Sequence, residues 1–547
     1  MPNKITVADF FCGAGGFSEG FRQEGFDVVF ALDNWKPAID THELNHPECK
    51  ASLTDILTLD TPKKIDEAIP DVDVIIGSPP CISFSGSNKA GKADKSLGIQ
   101  LIEAYLRIVL WKKSKGKLKH WIMENVPNSS KYTQDTYTWK ELGLPGNGPD
   151  LTIKQKEILD AANYGAPQNR LRFVCGDYPL PEKTHNEKQW TTYKDVFKSL
   201  GNPMLSPTKK ISDPNYDLKI NANRLTDHYY DTRIEEFEWK RAKQLKKDHG
   251  FMGIMSFPEK LERPSRTVMA TMSASTRESI IFDSTDSTGK HIGYRLPTIR
   301  EISTFMSFPI NYQFEGKSES NKYRLVGNAV CPKLSVALAR AIAKSENKPS
   351  PSAFVKLPDN VPEYNLNGTK RKPKTEKPRK FESKFQRHIP YMKIIGMRVQ
   401  LSNKESKFEK NRIKWTSRIH YGPPKKHREQ EIDNAKIEKH IESYKTLTDT
   451  NFSQLKKDSL KEFSKAPSSS EFHRRYIMRE DKELCPDTSI ELVKKIVDKT
   501  FPADKFQQTS VPDSKKLIKG HRVDIPIRVL AALYVTNILV SQIESQD

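Results

Sequence analysis

The first thirty residues carry the pattern that most constrains the fold. Apolar residues at 5–11 predict a β-strand, and the apolar spacing of residues 17–24 is typical of a helix. Between them, residues 13–16 (Gly-Ala-Gly-Gly) predict a tight turn, because glycine adopts backbone conformations that other residues avoid. A second apolar strand follows at residues 27–32. A strand, a turn, a helix and a second strand in this order indicate a parallel β-α-β unit.

The same alternation continues along the first 350 residues. Further strands are predicted at residues 72–76, 121–123 and 173–175, and helices at residues 101–111 and 334–343. Strands that alternate with helices predict an α/β fold with a doubly wound, mostly parallel sheet. In such a sheet, ligands meet catalytic groups beyond the carboxyl ends of the strands.

The order of these segments also predicts how the chain divides. The alternation stops near residue 180, resumes near residue 291 and gives way to a basic, proline-rich stretch near residue 346. We predict five segments, which are an α/β domain at 1–180, an inserted region at 181–290, the return of the first domain at 291–345, a basic linker at 346–380 and an additional basic domain at 381–547.

The charge of the chain indicates a polyanionic partner. Lysine and arginine number 90 against 69 acidic residues, which gives a formal net charge of +21. The excess is uneven, with about +6 in residues 1–350 and about +15 in residues 351–547. Nucleic acid is the favoured partner, and an anionic membrane surface is the alternative.

Cysteine usage and hydropathy argue against other classes of protein. The six cysteines are scattered without a Cys-x-x-Cys pair, which favours a reducing compartment and argues against a structural zinc site. No metal is therefore expected, and no signal peptide is recognisable. The longest apolar stretch, residues 525–540, is interrupted by Arg528 and is too short to predict a membrane span.

A cysteine is displayed at the end of one predicted strand. Cys81 follows the strand at 72–76 and two prolines, Pro79 and Pro80, which limit how the backbone can move. This is the arrangement expected of a cysteine nucleophile. The alternative is a buried cysteine that packs as a small apolar side chain, which is the commoner role of an isolated cysteine.

Charged side chains stand beside two other predicted strands. Glu124 ends one strand, so it would reach the same crevice as Cys81 and would donate a proton if burial raised its pKa. Arg170 and Arg172 precede another strand and would point to one face as two fixed cations. The alternatives are a surface glutamate and ordinary surface ion pairs.

The glycine turn is suited to a nucleoside cofactor. Its glycines allow a ligand to approach closely at the start of a helix, and Asp33, at the end of the next strand, is placed to bind ribose hydroxyls. NAD and S-adenosylmethionine both fit this pattern, and a purely structural turn is the remaining alternative. The spacing lacks the third glycine of the NAD fingerprint.

Taken in order, these motifs resemble those of the DNA cytosine-5 methyltransferases of bacterial restriction-modification systems. The similar blocks span residues 4–345, and they are residues 9–17, 77–85, 124–126, 168–172, 295–301 with 308–309, and 327–330. Small departures from the family pattern fall at Pro297, Ile299 and Cys331. None of them affects the residues assigned to catalysis.

The resemblance implies a Rossmann-like, S-adenosylmethionine-dependent methyltransferase fold, with residues 181–290 as an inserted target-recognition domain. It implies that Cys81 attacks C6 of a cytosine that has been flipped out of duplex DNA. Glu124 would bind N3 and the exocyclic amine, and Arg172 with Arg170 would hold O2. The methyl group would pass to C5 and leave S-adenosylhomocysteine. The residues implied for cofactor binding are Phe11, Gly13, Gly15, Gly16, Asp33, Asn34, Asp55, Pro80 and Asn328.

The resemblance also implies partners and a location. These are double-stranded DNA, a cognate restriction endonuclease, no membrane, action as a monomer on DNA, and a cytoplasmic, nucleoid-associated site. Two rival functions are methylation of RNA at the same carbon and an inactive methyltransferase fold that only binds DNA. The presence of Cys81, Glu124 and Arg172 argues against the inactive fold.

The resemblance ends near Ser345, and three roles remain open for the C-terminal third. An added DNA-binding domain is favoured, because basic charge supplies sequence-independent affinity. A fused nuclease is the second, although the acidic pairs Asp433/Glu438 and Asp487/Glu491 lack the spacing of a metal site. An oligomerisation or partner-binding module is the third.

Overall fold

A computed structural model describes residues 4–80, 84, 94–205, 210–248, 253–422, 427–443 and 448–547. The chain divides into two units. The first consists of Met1–Ala242 and Phe257–Pro373, and the second consists of Lys243–Ser256 and Lys374–Asp547.

The described strands up to Pro373 are β1 (Thr6–Phe10), β2 (Asp27–Asp33), β3 (Lys50–Leu53), β4 (Val74–Gly77), β5 (His120–Asn125), β6 (Thr136–Tyr137), β7 (Leu151–Thr152), β8 (Gln155–Asp160), β9 (Leu171–Asp177), β10 (Lys210–Ser212), β11 (Lys219–Asn221), β12 (Phe282–Thr285) and β13 (His291–Arg295). The helices are α1 (Gly16–Gln23), α2 (Lys36–Asn45), α3 (Pro62–Ala68), α4 (Ser96–Ser114), α5 (Tyr193–Leu200), α6 (Glu236–Lys247), α7 (Ile299–Phe305), α8 (Glu319–Asn328) and α9 (Pro332–Ser345).

Seven of the described strands form the main sheet, in the order β3-β2-β1-β4-β5-β9-β8. The five strands from β3 to β5 pair in parallel, whereas β9 is antiparallel to both β5 and β8. Helices connect the parallel strands, as parallel pairing requires. The predicted α/β fold with a mostly parallel sheet is therefore confirmed.

Both faces of this sheet are buried. Successive side chains of a strand point to opposite sides, so neighbouring residues belong to different cores. In β4, Val74 and Ile76 belong to the core that contains residues of α1 and α9. Ile75, between them, belongs to the core on the other face, with Tyr105 and Val109 of α4. Helices therefore cover the sheet on both sides, which explains why β4 is apolar throughout.

The domain boundaries differ from the predicted ones. The predicted linker at 346–380 is part of the first unit as far as Pro373. Arg22 donates to the carbonyl oxygens of Val355 and Lys356 at 3.0 Å each, and Asn367 donates to the carbonyl oxygen of Leu225 at 2.7 Å. The basic and proline-rich composition was misleading, because backbone carbonyls and asparagine side chains hold this segment in place.

The predicted target-recognition region at 181–290 also differs from its expected boundaries. Most of it lies within the first unit, and only Lys243–Ser256 is assigned to the second. Some of its apolar residues share the core of the α/β domain, as Tyr193 and Val196 of α5 do. Others, such as Phe257 and Ile281, form a small core of their own. The region is therefore an elaboration of the first unit.

The second unit combines a small antiparallel sheet with helices. Its strands are β14 (Gln386–His388), β15 (Arg398–Ser402), β16 (Thr416–Tyr421) and β17 (Arg428–Gln430), paired in this order. Its helices are α10 (Asn434–Glu442), α11 (Thr448–Glu462), α12 (Ser469–Met478), α13 (Pro486–Thr500), α14 (Ala503–Phe506) and α15 (Ile527–Glu544). The apolar side chains of β15 and β16 share one core with α15.

Two helical stretches of the described chain are long and apolar enough to cross a membrane, Glu319–Ser345 and Ile527–Glu544. Their most apolar windows are 78% and 72% buried inside the protein, respectively. The first stretch contains α8 and α9, and the second is α15. Burial of this extent is typical of the central helices of a packed domain.

A fully buried ion pair stabilises the first unit. Lys322 of α8 lies 2.8 Å from a carboxylate oxygen of Asp227, and both side chains are 0% exposed. Asp227 also accepts the backbone N–H of Leu366 at 2.9 Å, so the pair binds the segment that follows α9. Removing one partner from such a pair leaves an uncompensated buried charge.

We expect Lys322→Ala to lower the free energy of unfolding of the first unit by about 3–5 kcal/mol. Lys344→Ala is the control, because Lys344 and its partner Glu182 are 76% and 83% exposed, and exposed pairs contribute less than about 1 kcal/mol. Denaturant unfolding of both variants measures the difference. Equal losses in the two variants would show that the buried pair is unimportant.

Candidate functional site

Three strand ends meet at one edge of the main sheet. Phe10 of β1 pairs with Gly77 of β4, and Gly77 pairs with Met123 of β5. Because these strands are parallel, the glycine turn after β1, the segment after β4 and the end of β5 lie side by side. Ser78 continues this pairing by donating its N–H to the carbonyl oxygen of Phe10 at 3.1 Å. Cys81 lies outside the described residues, directly after Pro80.

Glu124 is held by two polar neighbours at this edge. Its Oε1 lies 2.8 Å from Nε of Arg172, and its Oε2 accepts the hydroxyl of Ser78 at 2.7 Å. The side chains of Glu124 and Arg172 are only 5% and 10% exposed. The structure thus brings together two of the predicted catalytic residues as a nearly buried acid–cation pair.

Asn125 connects the ends of β5 and β4. Its side-chain amide donates to the carbonyl oxygen of Pro79 at 3.0 Å, and its Oδ1 accepts the N–H of Val126 at 2.8 Å. These bonds fix the backbone that leads towards Cys81. Ser78 and Asn125 were missed as site residues by sequence reasoning, although both lie in the blocks that carry the resemblance.

Arg170 does not join the Glu124–Arg172 pair. Its guanidinium donates to three backbone carbonyl oxygens, those of Val268, Gly327 and Ala329, each at 3.0 Å. The expectation that Arg170 and Arg172 present two cations to one face is therefore corrected. Strand alternation does not apply to Arg170, because β9 begins one residue after it.

Gly327 allows the segments joined by Arg170 to approach closely. A Cβ atom at Gly327 would lie 2.2 Å from the carbonyl oxygen of Met269. Any larger residue there would separate the two backbones. Arg170 and Gly327 together hold the end of the inserted region against the last of the sequence blocks.

The glycine turn after β1 is tied to the end of β2. Asp33 accepts the N–H of Gly13 at 3.0 Å through Oδ2 and the N–H of Trp35 at 2.9 Å through Oδ1. Burial raises the pKa of Asp33 above its usual range. The turn itself uses positive φ angles at Phe11 (+55°), Gly13 (+52°) and Gly15 (+81°).

The glycines of the turn have different surroundings. A Cβ atom at Gly16 would lie 2.2 Å from the carbonyl oxygen of Val330, so this glycine permits contact with the last sequence block. A Cβ atom at Gly13 would meet only the carbonyl oxygen of Phe11, at 3.9 Å. The space beside Gly13 is therefore open to a ligand at the N-terminus of α1, which suits the polar groups of a nucleoside cofactor.

The other residues predicted to bind a cofactor are exposed. Asn34 follows β2, Pro80 lies just before Cys81, and Asn328 is the last residue of α8. Asp55 follows β3, where its Oδ1 accepts the N–H of Leu57 at 3.0 Å. Their side chains are accessible to a ligand, and the chemistry of this set fits S-adenosylmethionine, with acids for ribose and amine groups.

One group of possible metal ligands lies in the described part of the second unit. The ligand atoms of His420, His427 and Glu429 lie within 4.8 Å of one another. Nδ1 of His420 is 2.7 Å from Nε2 of His427, and the two rings are nearly parallel, with 11° between their planes. This is the geometry of a hydrogen bond between imidazoles, whereas two ligands of one tetrahedral metal ion stand farther apart.

Comparison with known proteins identifies one family. Residues 5–344 match the family model of the C-5 cytosine-specific DNA methylases, in agreement with the predicted extent of the resemblance. The chain is similar to the type II methyltransferase M.AgeI of Thalassovita gelatinovora, with 26% identity over 454 residues, 62% of this chain and 99% of that protein. It is also similar to M1.HphI of Haemophilus parahaemolyticus, with 29% identity over 62% of this chain and 87% of that protein. M.MthTI of Methanothermobacter thermautotrophicus is 30% identical over 62% of this chain and 97% of its own length.

We expect Arg170→Lys to loosen the backbone segments that Arg170 joins, because a single ammonium group cannot reproduce the planar fork of the guanidinium. Amide hydrogen exchange near Val268 and at 327–330 should rise by about tenfold or more. Arg172→Lys is the matched control, since Arg172 contacts Glu124 and makes no described hydrogen bond to these segments. Equal exchange in both variants would contradict the role assigned to Arg170.

Proposed function

The chain belongs to the C-5 cytosine-specific DNA methylases, and from this membership we propose that it methylates C5 of a cytosine within a specific duplex DNA sequence, with Cys81 as the nucleophile. The observation that carries the proposal is the meeting, at one sheet edge, of the Glu124–Arg172 pair and the backbone that leads into Cys81. The glycine turn lies at the same edge and would hold S-adenosylmethionine.

Cytosine needs covalent activation because its C5 is a poor nucleophile. Attack of the Cys81 thiolate on C6 forms an S–C6 bond and moves electron density to C5. When bound, S-adenosylmethionine would supply an electrophilic methyl carbon to C5, and breaking its S–CH₃ bond would leave S-adenosylhomocysteine. Loss of the C5 proton, with cleavage of the S–C6 bond, then restores the C5–C6 double bond and the thiolate.

Glu124 and Arg172 would bind the polar edge of the pyrimidine. Glu124 would interact with N3 and the exocyclic amine, and Arg172 would stabilise charge that develops at O2. Because Ser78 and Arg172 already hold both carboxylate oxygens of Glu124, little reorganisation is needed when the base enters. Arg170 would act as a positioning residue, since three of its described hydrogen bonds go to backbone carbonyl groups of distant segments.

The cofactor would lie against the glycine turn. Asp33 would bind its ribose, and Asp55 its adenine amine. Phe11, Gly13, Gly15, Gly16, Asn34, Pro80 and Asn328 would complete the site. The target base must leave the stack to reach the crevice, because the reacting carbons are not accessible within a duplex.

The type II relatives bear on the biological setting. They are named type II methyltransferases, which supports a restriction-modification role. A cognate endonuclease as a partner and a cytoplasmic, nucleoid-associated location are part of the proposal. Action as a monomer on DNA is part of the same proposal. Methylation of RNA and an inactive fold remain outcomes that the following experiment separates.

We expect the wild-type chain to move a labelled methyl group from S-adenosylmethionine onto duplex DNA, whereas tRNA should not be labelled. Cys81→Ala should lower the rate by at least about 10³-fold, because covalent activation of C6 is lost. Cys485→Ala is the control, since this cysteine lies in the second unit. Incorporation of the label by Cys81→Ala at the wild-type rate would refute the mechanism. Labelling of tRNA alone would refute the proposal that duplex DNA is the substrate.

The second unit lies beyond the family match, and we propose that it adds affinity for the DNA backbone. The loop at 514–522 is fixed on β17, because Gln430 donates to the carbonyl oxygen of Leu517 at 2.8 Å and accepts the N–H of Lys519 at 3.0 Å. Arg428 lies beside Gly520 of this loop. The exposed side chains of Arg428, Lys519 and Arg522 form a basic surface on a preordered backbone.

Three of the four acidic residues considered for a nuclease are engaged with cations. Asp433 lies 2.8 Å from Lys436, and Glu438 lies 2.8 Å from Lys456. Asp487 bridges Arg379 and Arg387 at 3.0 and 2.7 Å. These contacts favour DNA binding over metal-dependent cleavage as the role of this unit.

We expect the triple variant R428Q/K519Q/R522Q of the full chain to bind duplex DNA more weakly, with a salt dependence reduced by about 2–3 in slope, because each lost phosphate contact lowers the slope by about 0.9. The control is K436Q/K456Q/K499Q, whose lysines already pair with carboxylates. Fluorescence anisotropy over a salt series measures the slopes. An unchanged slope in the first variant would exclude this surface.

A further inference from the structure

Buried polar side chains pack against the backbone of the glycine turn at residues 13–16. The hydroxyl of Tyr312 donates to the carbonyl oxygen of Ala14 at 2.6 Å. Nε2 of His46, in the loop after α2, lies 3.1 Å from the same hydroxyl oxygen. The N–H of Gly15 meanwhile donates to the carbonyl oxygen of Cys12 at 2.8 Å. The peptide group between Ala14 and Gly15 is therefore held at both its oxygen and its nitrogen.

The direction of each hydrogen bond follows from the number of donors. Tyr312 has one hydroxyl hydrogen and gives it to Ala14, so His46 must donate to the hydroxyl oxygen through Nε2. This requires a hydrogen on Nε2, which a neutral imidazole carries in its Nε2–H tautomer. Burial lowers the pKa of His46 well below its usual value, which keeps the ring in this form.

A second chain of bonds runs beside the first. Nε2 of His42 lies 3.0 Å from the hydroxyl oxygen of Ser18, and that hydroxyl donates to Oδ2 of Asp9 at 2.6 Å. The rings of His42 and His46 are 4.7 Å apart. Ser18 belongs to α1 and Asp9 to β1, so His42 is linked through Ser18 to both elements that flank the turn.

The side chains of this network leave no room at Gly15. A Cβ atom there would lie 2.6 Å from the hydroxyl of Tyr312 and 3.1 Å from atoms of both His42 and His46. The left-handed backbone at Gly15 and the side chains beneath it are therefore fitted to each other. A shift of Tyr312 would release the carbonyl group of Ala14, and the amide groups on the open side of the turn would move with it.

We propose that Tyr312, with His46 as its donor, is a positioning residue of the cofactor site, which fixes the peptide group between Ala14 and Gly15 and thereby the shape of the turn that binds S-adenosylmethionine. The inference rests on the proposed function, because it assumes that S-adenosylmethionine occupies the turn. Tyr312 itself lies beneath the backbone and acts through it.

The test compares two tyrosine-to-phenylalanine variants of the full chain. Tyr312→Phe removes the hydroxyl and keeps the ring. Tyr216→Phe is the matched control, because the Tyr216 hydroxyl also donates to a carbonyl oxygen of the first unit, that of Ser307, at 2.9 Å. Isothermal titration with S-adenosylmethionine gives Kd, methyl transfer at saturating cofactor gives kcat, and thermal unfolding reports stability.

We expect Tyr312→Phe to raise Kd for S-adenosylmethionine about tenfold, with kcat within about twofold of wild type, since one buried hydrogen bond is lost. Tyr216→Phe should leave Kd unchanged, with a similar loss of stability. Because His46 acts through Tyr312, adding His46→Leu to Tyr312→Phe should raise Kd much less than His46→Leu does alone.

An unchanged Kd in Tyr312→Phe would overturn the inference, and so would equal increases in Tyr312→Phe and Tyr216→Phe. Failure of the wild-type chain to bind S-adenosylmethionine at all would instead refute the proposed function. The wild-type titration therefore separates the two failures.

Discussion

The parallel pairing of β1, β4 and β5 is the constraint on which the site depends. Its register places Phe10, Gly77 and Met123 side by side, so the three connections that follow leave the sheet at one edge. Gly77 is needed for this arrangement, because a Cβ atom there would lie 2.5 Å from the ring of Tyr105. Tyr105 also donates to the carbonyl oxygen of Ile122 at 2.8 Å and so joins α4 to β5.

Close backbone contacts then bring in segments that are distant in sequence. The absence of a side chain at Gly16 allows close contact with Val330, and its absence at Gly327 allows close contact with Met269. Arg170 binds three carbonyl groups around the contact at Gly327. Each contact requires either a glycine or a buried guanidinium. This explains in physical terms why short blocks far apart in the chain form a single crevice, with the Glu124–Arg172 pair inside it.

Much of the first unit could be predicted from the sequence, because strands buried on both faces and amphipathic helices leave a strong local pattern. The strand predicted at 27–32 is β2, which has one further residue, Asp33. The helix predicted at 334–343 is α9, which extends two residues further at each end. The role of Arg170 could not be predicted in this way, since its partners are backbone atoms about 100 and 160 residues away.

The linker and the network below the turn escaped prediction for related reasons. Residues 346–373 look like a linker because their contacts are made mostly by backbone groups and polar or charged side chains, such as Asn367 and Arg371. His42 and His46 look like ordinary polar residues of a helix and its end, and only the fold reveals that Tyr312 lies beside them. Long-range polar contacts of this kind leave no periodic signal in the sequence.

The proposed mechanism requires that Cys81 attack C6 of a cytosine held by Glu124 and Arg172. The most direct test is peptide mapping by mass spectrometry after incubation with S-adenosylmethionine and target duplex DNA that carries 5-fluorocytosine, because fluorine at C5 prevents the final elimination. We expect one stable adduct, on the peptide that contains Cys81. An adduct on another residue, or methylation of ordinary duplex DNA without any adduct to the fluorinated duplex, would contradict it.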